Sequence, residues 1–356
     1  MRHLAKSVKE TLGVVVKDWR RYRRALDAGS DAYLALCNRY ERLEPAPDGS
    51  GYRCAWQWTS ELHAPKRLPS LGLRLARRAL AHHPIVRRDA PATAGNDPQM
   101  TFLIGHRGQA RVPQLLATLE SIAGQSEVDV ECLVIEQDGE AAVRPRLPGW
   151  VTHVHTPPPA RDMPYCRSWA FNVGAKLARG RILVLHDNDM LVPADYAREV
   201  VRRVAEGYEV ANLKRFIFYL GERHSRGVIA READFDSEPA LAIVQNLEAG
   251  GSLAVTADAF RRIGGMDEAF VGWGGEDNEF WERAQTLRVW TYGYLPIVHL
   301  WHTPQPERLE RTPSPVEYYR QRSALPVDDR IRELRARNAG DPTRPDPLWP
   351  AANPNG

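Results

Sequence analysis

The sequence contains no apolar run approaching the roughly 18 residues that a membrane-spanning helix needs, and its first residues lack the continuous apolar stretch of a secretory signal. It also has little cysteine. The four residues Cys37, Cys54, Cys132 and Cys166 are scattered and form no Cys-x-x-Cys pair. This spacing fits neither a zinc site nor a disulfide framework, so we expect a reducing, cytoplasmic setting.

Acidic charge is scarce in the first part of the chain. Before Met100 there are 18 Lys/Arg against 10 Asp/Glu, whereas the remainder has 30 against 35. A basic segment attracts phosphate, either of nucleic acid or of lipid headgroups. No aromatic and basic motif accompanies the charge, so we expect no nucleic-acid partner. Residues 71–80 predict a helix packed on the main domain with a solvated basic face, or else one lying on a membrane surface; we favour the first.

The chain divides into three predicted parts. Residues 1–98 are predicted to form a basic helical extension that ends in a linker. Residues 306–356 are predicted to form one helix (316–337) followed by a Pro-rich tail. Between them, residues 99–305 alternate strand-like and helical patterns. This alternation predicts an α/β domain with a mostly parallel central sheet. The predicted strands are 101–104, 130–135, 181–185 and 294–298, and the predicted helices are 112–122, 168–178 and 192–204.

Two aspartates, Asp187 and Asp189, follow the predicted strand 181–185 directly. In such sheets ligands bind beyond the carboxyl ends of the strands. Residues two apart in an extended chain point to the same side, so the two carboxylates would converge there on a divalent cation such as Mg²⁺ or Mn²⁺. Taken alone, the pattern is more typical of a polar loop after a strand. Its position directly after a four-residue aliphatic run makes the two interpretations about equally favoured.

The segment Gly272-Trp273-Gly274-Gly275-Glu276-Asp277 is too rich in glycine for a helix or strand, and a helical pattern follows it. It predicts a flexible loop that leads into a helix with an acidic first turn, where ionised carboxylates are favoured. A carboxylate there can accept a proton from a substrate hydroxyl. Trp273 can stack on a sugar ring.

Two histidines, His299 and His302, follow the predicted strand 294–298. An imidazole that completes a carboxylate metal site would give mixed nitrogen and oxygen coordination, which Mn²⁺ accepts. His302 is the stronger candidate because it lies further beyond the strand. A single histidine is more often structural, and the Asp-x-Asp pattern elsewhere favours ligation here.

Residues 100–305 resemble the carboxyl-terminal catalytic region of the β-1,4-galactosyltransferases, together with bacterial chondroitin-type polymerases and polypeptide N-acetylgalactosaminyltransferases. The resemblance rests on the motif 272–279, on Ala249-Gly250-Gly251-Ser252 and Gly264-Gly265-Met266-Asp267, and on Asp187-Asn188-Asp189 upstream in the same order. It implies a GT-A fold that binds a UDP-sugar donor and Mn²⁺ (or Mg²⁺).

The resemblance also implies roles for individual residues. Asp277 would be the catalytic base and Glu276 would orient donor or acceptor. Asp189, His302 and His299 would ligate the metal, and Asp187 would lie near the ribose and the metal. Arg107, Asp138, Tyr165 and Arg167 would hold the uridine diphosphate, Gly251 would line the donor sugar, and Trp273 would contact the acceptor.

The chain departs from the family pattern in two places. Where the family has Arg-x-Arg after the first strand, this sequence has Arg107-Gly108-Gln109, and Asn278 stands where the animal enzymes have an acid. The retaining polypeptide transferases carry Glu-Asn at the position of Glu276-Asp277. The free Asp277 therefore favours an inverting glycosyltransferase.

The expected reaction moves a hexose or N-acetylhexosamine from a UDP-sugar to a hydroxyl of a glycan or lipid-linked glycan, in bacterial surface polysaccharide synthesis. The basic N-terminal helices are candidates for docking on the inner membrane leaflet. Three alternatives stay open: a retaining transferase of the same fold, a non-catalytic carbohydrate-binding protein on that scaffold and, well below these, a sugar nucleotidyltransferase. The last would need a glycine-rich phosphate loop with a lysine after the first strand, which residues 103–108 do not supply.

Overall fold

The computed structural model describes residues 2–27, 31–55, 60–92, 97–303 and 315–345, and for residues 2–8 it describes the backbone alone. Most of the predicted Pro-rich tail, from residue 346 onward, lies outside this range. Among the described residues no helix is long and apolar enough to cross a membrane.

The N-terminal extension is helical at both ends and contains a β-hairpin in the middle, which the sequence analysis did not predict. The hairpin forms around residues 46–51, where proline and glycine favour a turn. The elements are α1 (Arg2–Lys17), α2 (Trp19–Asp27), β1 (Arg42–Pro45), β2 (Tyr52–Ala55), α3 (His63–Arg67) and α4 (Pro69–His82).

The extension packs on the rest of the chain and shares its hydrophobic core. Tyr22, Leu26 and Tyr33 are buried in the same cluster as residues of the main sheets. Arg215 is buried and donates hydrogen bonds to the backbone oxygens of Leu34 (2.8 Å) and Leu36 (2.6 Å). One hydrophobic core thus includes residues from both sides of residue 98. The predicted domain boundary at that residue stays a prediction.

The remaining strands form two sheets. They are β3 (Met100–His106), β4 (Val130–Glu136), β5 (Thr152–His155), β6 (Ile182–His186), β7 (Met190–Leu191), β8 (Val210–Ala211), β9 (Lys214–Tyr219), β10 (Ala242–Gln245), β11 (Ser252–Thr256), β12 (Val289–Trp290) and β13 (Leu295–His299).

The larger sheet has the order β12-β8-β11-β6-β3-β4-β5. Four of its six pairings are parallel, and β11 alone runs antiparallel to both its neighbours. The predicted α/β fold with a mostly parallel central sheet is therefore confirmed. Its central strands are aliphatic and buried on both faces, as parallel strands covered by helices are.

The smaller sheet has the order β10-β9-β13-β7. Strand β7 follows β6 after a three-residue connection, so this connection links the two sheets. Because β7 pairs with β13, Met190 lies opposite His299. Two stretches of the chain that are more than 100 residues apart in sequence thus meet beyond the end of β6.

The helices of the main part are α5 (Val112–Ala123), α6 (Arg167–Leu177), α7 (Tyr196–Ala205), α8 (Glu222–Ile229), α9 (Ala257–Arg262), α10 (Glu276–Ala284), α11 (Pro315–Ser323) and α12 (Val327–Arg335). The sequence did not predict α8 and α9, and two of the predicted helices differ from their expected bounds.

Prolines account for both differences. Helix α7 begins at Tyr196 rather than at residue 192, because the residue before Pro193 is disfavoured in helical conformation. The single helix predicted over 316–337 is wrong. Pro326 precedes α12, and a proline at such a junction ends the preceding helix and starts the next.

Candidate active site

A cavity of about 760 Å³ opens beyond the carboxyl ends of β3 and β6. All the site residues predicted from the sequence line it, with the exception of Asp138. The Asp138 Oδ2 accepts a hydrogen bond from the backbone N–H of Gly108 at 2.7 Å, and its Oδ1 is 3.9 Å from Arg107 Nε. Its contacts therefore position Arg107 and the adjoining loop.

Asp189, His299 and His302 form a candidate metal centre. Three of their ligand atoms lie within 4.8 Å of one another. His302 Nε2 is 3.2 Å from Asp189 Oδ2, and His299 Nε2 is 3.7 Å from Asp189 Oδ1. One carboxylate and two imidazoles are a mixed oxygen and nitrogen donor set, which could hold a divalent ion of the Mn²⁺ type.

The segment 187–189 is a turn and not the extended chain expected from the sequence. Asn188 is buried at its centre and is hydrogen-bonded through Nδ2 to His106 Nδ1 at 2.9 Å, which holds the turn against β3. Both aspartates reach the cavity, but the turn gives them different partners. Asp189 lies among the histidines, and Asp187 contacts Arg167.

His299 is held in the form that metal ligation requires. Its ring stacks on Tyr219, with the ring centroids 4.4 Å apart. Burial lowers the pKa of His299, which keeps the imidazole neutral near pH 7. A neutral imidazole has a lone pair to offer a cation.

Arg111, in the turn between β3 and α5, is a site residue that the sequence analysis missed. Its Nη2 lies 3.0 Å from His302 Nδ1 and its Nη1 lies 3.5 Å from Asp189 Oδ2. Gln109 stands where the family has the second arginine of its Arg-x-Arg pattern. Arg111 lies two positions further along the chain and lines the cavity, so the nearby arginine is the signal in the sequence that indicates it.

Arg167 connects the two halves of the cavity. Its Nη2 is 2.6 Å from Asp187 Oδ1, and its Nη1 donates to Asp277 Oδ1. Glu276 Oε1 lies 3.7 Å from the same Nη1. The guanidinium thus holds three carboxylates that would otherwise repel one another in a partly buried site.

Glu276 and Asp277 begin α10, as the sequence predicts. Gly272, Gly274 and Gly275 all have positive φ (95°, 110° and 90°), so residues with side chains would be strained there. The backbone N–H of Gly274 donates to Glu276 Oε2 at 3.1 Å. This loop geometry aims both carboxyl groups into the cavity.

The environment of α10 makes both carboxyl groups weaker acids. Burial and the neighbouring Asp277 raise the pKa of Glu276 to about 7. Partial burial raises the pKa of Asp277 as well, although the Arg167 guanidinium opposes the shift. About a third of the Asp277 side chain is exposed, so this carboxyl is accessible from the cavity.

The glycine-rich loop packs beneath α11. A methyl group at Gly275 would lie 2.7 Å from Tyr319 Cβ, and one at Gly274 would lie 3.4 Å from Val316. The loop predicted to be flexible is thus covered on one side by the C-terminal segment. On the other side, the Trp273 side chain lines the cavity and is 49% exposed.

Comparison with known proteins finds a match over the stretch that holds one half of this site. Residues 244–302 match the family model described as the N-terminal domain of galactosyltransferase. This stretch is therefore similar to that galactosyltransferase domain. The segment includes Gly251, Trp273, Glu276, Asp277 and the two histidines, whereas the arginines and the aspartate pair lie upstream of it.

The curated relatives match over a shorter stretch. Human β-1,4-galactosyltransferase 5 is 50% identical to this chain over 36 residues, which is 10% of this chain and 9% of the relative. The chain therefore matches only about a tenth of the length of that relative.

Two solved structures were found to be similar to this chain. One is the catalytic domain of Drosophila β-1,4-galactosyltransferase 7 in complex with xylobiose (17% identity, TM-score 0.37), covering 64% of this chain and 82% of that one. The other is a mannosyltransferase from Pyrobaculum calidifontis in complex with GDP-Man and Mn²⁺ (15% identity, TM-score 0.40), covering 75% and 81%.

Proposed function

We propose that this protein is a metal-dependent, inverting glycosyltransferase of the GT-A type that uses a UDP-sugar donor. The observation that carries the proposal is the placement, in one cavity, of the Asp189, His299 and His302 cluster and the Glu276 and Asp277 pair. The cluster is a donor set for a divalent cation, and the pair includes a carboxyl group that can accept a proton.

The donor diphosphate would lie between the metal centre and the arginines. Arg107, Arg111 and Arg167 line the cavity, and guanidinium groups pair well with phosphate oxygens. A divalent ion bound at Asp189, His299 and His302 would neutralise charge that develops on the departing diphosphate. Asp187, whose carboxylate contacts Arg167, would help to fix that guanidinium.

Asp277 is proposed as the base of a single displacement. Its Oδ1 is engaged by Arg167, and its Oδ2 faces Gly250 in the cavity wall. The acceptor hydroxyl would lose its proton to Asp277 as its oxygen bonds to the anomeric carbon, and the bond from that carbon to the diphosphate would break with departure of UDP. Glu276 would orient the sugars, and Trp273 would stack on the acceptor.

The acceptor is proposed to be a hydroxyl of a glycan or lipid-linked glycan, as in bacterial surface polysaccharide synthesis. The donor sugar would be a hexose or N-acetylhexosamine. The exposed indole of Trp273 supports a carbohydrate acceptor, because aromatic rings stack on the apolar faces of sugars. A cytoplasmic location belongs to the same proposal.

A screen for UDP release over a panel of UDP-sugars, with and without Mn²⁺, tests the proposal. We expect turnover with one or a few donors, and only with the metal. Asp277→Asn should lower transfer by about a hundredfold or more while UDP still binds. The matched control, Asp258→Asn, changes an exposed aspartate at the start of α9 and should leave turnover unchanged.

Three results would count against the proposal. Equal turnover in Asp277→Asn would remove that residue from the role of base. A product that keeps the anomeric configuration of the donor would favour the retaining alternative. Absence of turnover with every donor would favour a carbohydrate-binding protein.

A further inference from the structure

Helices α1 and α2 present an apolar stripe to solvent. Leu12, Val15, Val16 and Trp19 are 58%, 41%, 74% and 36% exposed. Leu12, Val15 and Val16 are three and four residues apart, which places them on one face of α1, and Trp19 begins α2 directly after that helix. Val14, on the opposite side of α1, and Tyr22, in α2, are buried in the core, so the stripe is apolar surface in addition to the packed residues.

The exposed charges around this stripe are basic. Asp18, one of the two acids between residues 9 and 24, is buried and lies 2.7 Å from Arg39. The other, Glu10, is half-buried and pairs with Arg67. The exposed charged residues of the same stretch are Lys9, Lys17, Arg20, Arg23 and Arg24.

Helix α4, the other basic helix of the extension, has no such face. Leu71, Leu75, Ala76 and Ala79 are buried against the domain. The favoured interpretation of residues 71–80, a helix packed on the main domain, is what the structure shows. Of the basic helices of the extension, α1 and α2 therefore carry the exposed apolar face, and α4 does not.

We propose that residues 9–24 form a docking surface for an anionic lipid membrane. Apolar side chains on one face, with lysines and arginines beside them, are the arrangement by which a helix lies in the plane of an interface. The apolar groups enter the boundary between headgroups and acyl chains, and the basic groups pair with lipid phosphates. Charge complementarity with an anionic leaflet distinguishes this partner from a second copy of the chain, whose stripe has the same charge.

The docking surface is joined to the candidate active site by direct packing. Helix α1 contacts α3, and α3 contacts β10. Leu241, which immediately precedes β10, lines the cavity. A membrane bound at the stripe would therefore hold the cavity at a set position relative to the lipid surface. The docking proposal does not depend on the transferase activity.

Vesicle flotation of the full chain tests the docking. Vesicles of phosphatidylcholine with about 30% phosphatidylglycerol should bind the protein, and vesicles of phosphatidylcholine alone should bind it far less. Added salt should release it. The double variant Val16→Glu/Trp19→Ser should bind anionic vesicles more weakly by on the order of tenfold or more.

Two further variants keep the test interpretable. Leu177→Glu, on α6, changes an apolar residue of similar exposure (51%) and should bind as the unaltered protein does. Arg20→Gln/Arg24→Gln leaves the stripe intact and should lose affinity for the anionic vesicles, which supports docking even if the double stripe variant fails to fold.

Several results would overturn the proposal. Equal binding of the unaltered protein to neutral and anionic vesicles would remove the charge argument, and unchanged binding by the stripe variant would remove the stripe. Failure to bind vesicles, together with a dimer in analytical ultracentrifugation that the stripe variant abolishes, would show that a second copy of the chain covers this face.

Discussion

Gly250 leaves room for the Asp277 carboxylate in the candidate active site. Gly250 has a φ of 75°, and a methyl group at this position would lie 2.8 Å from Asp277 Oδ2. Arg167 holds Oδ1 of the proposed base, and its Oδ2 occupies space that a side chain at residue 250 would fill.

Replacement of Gly250 by alanine should lower kcat. The new methyl group would displace the Asp277 carboxylate and strain the backbone, and misplacement of a reacting group by about 1 Å can cost on the order of a hundredfold in rate. Steady-state kinetics with the donor found in the UDP-release screen would measure the loss. Gly149→Ala is the control, because nothing lies within 4 Å of that position. Equal kcat in both variants would contradict the contact.

Replacement of His302 by alanine should weaken Mn²⁺ binding by at least about tenfold, since it removes one of three donors from the cluster. Calorimetric titration of the nucleotide-free protein with Mn²⁺ would give the affinity directly and without a donor sugar. His63→Ala removes an exposed imidazole from α3 and serves as the control. If both variants bind Mn²⁺ as the unaltered protein does, the cluster is not the metal centre.

Replacement of Arg111 by glutamine should separate metal binding from nucleotide binding. Its positive charge opposes a cation near Asp189, so the variant should bind Mn²⁺ at least as tightly as before. Its affinity for UDP in saturating Mn²⁺ should fall by about tenfold, because a charge-assisted contact with the diphosphate is lost. Arg146→Gln, at an exposed arginine, is the control. Unchanged UDP affinity would place Arg111 outside the donor site.

The rate should fall as the pH falls. A base must be ionised to accept a proton, and burial raises the pKa of Asp277 and brings that of Glu276 to about 7. Raised carboxyl pKa values mean that protons bind at higher pH than usual, so kcat/KM should decline as the pH drops through the neutral range. The profile would be recorded with Mn²⁺ saturating at each pH, which separates this decline from loss of the metal.

Glu276→Gln shows which carboxyl group controls this decline. The variant should keep an acid limb in its profile, because Asp277 still has to be ionised. A flat profile in Glu276→Gln would instead assign the titration to Glu276.

Much of the fold could be predicted because its signals are local. The aliphatic runs at 101–104, 130–135 and 181–185 each became a strand, and the helices near 112–122 and 168–178 lie within a residue of the expected bounds. The hairpin at residues 42–55 and the two-helix form of the C-terminal segment were missed. In both segments proline or glycine residues favour a turn or the end of a helix, whereas the surrounding pattern predicted helix.

The residue types of the candidate site were determined by the sequence alone: carboxylates after a strand, histidines after another, and an acidic helix start behind a glycine-rich loop. Only the tertiary structure decided which of them meet. Pairing between β7 and β13 brings His299 to Asp189, and Arg111 and Arg167 reach their carboxylate partners across 78 and 110 residues of chain. Local patterns specify strands and turns, but contacts at such separations depend on how the sheets pair and pack, which no short stretch of sequence encodes.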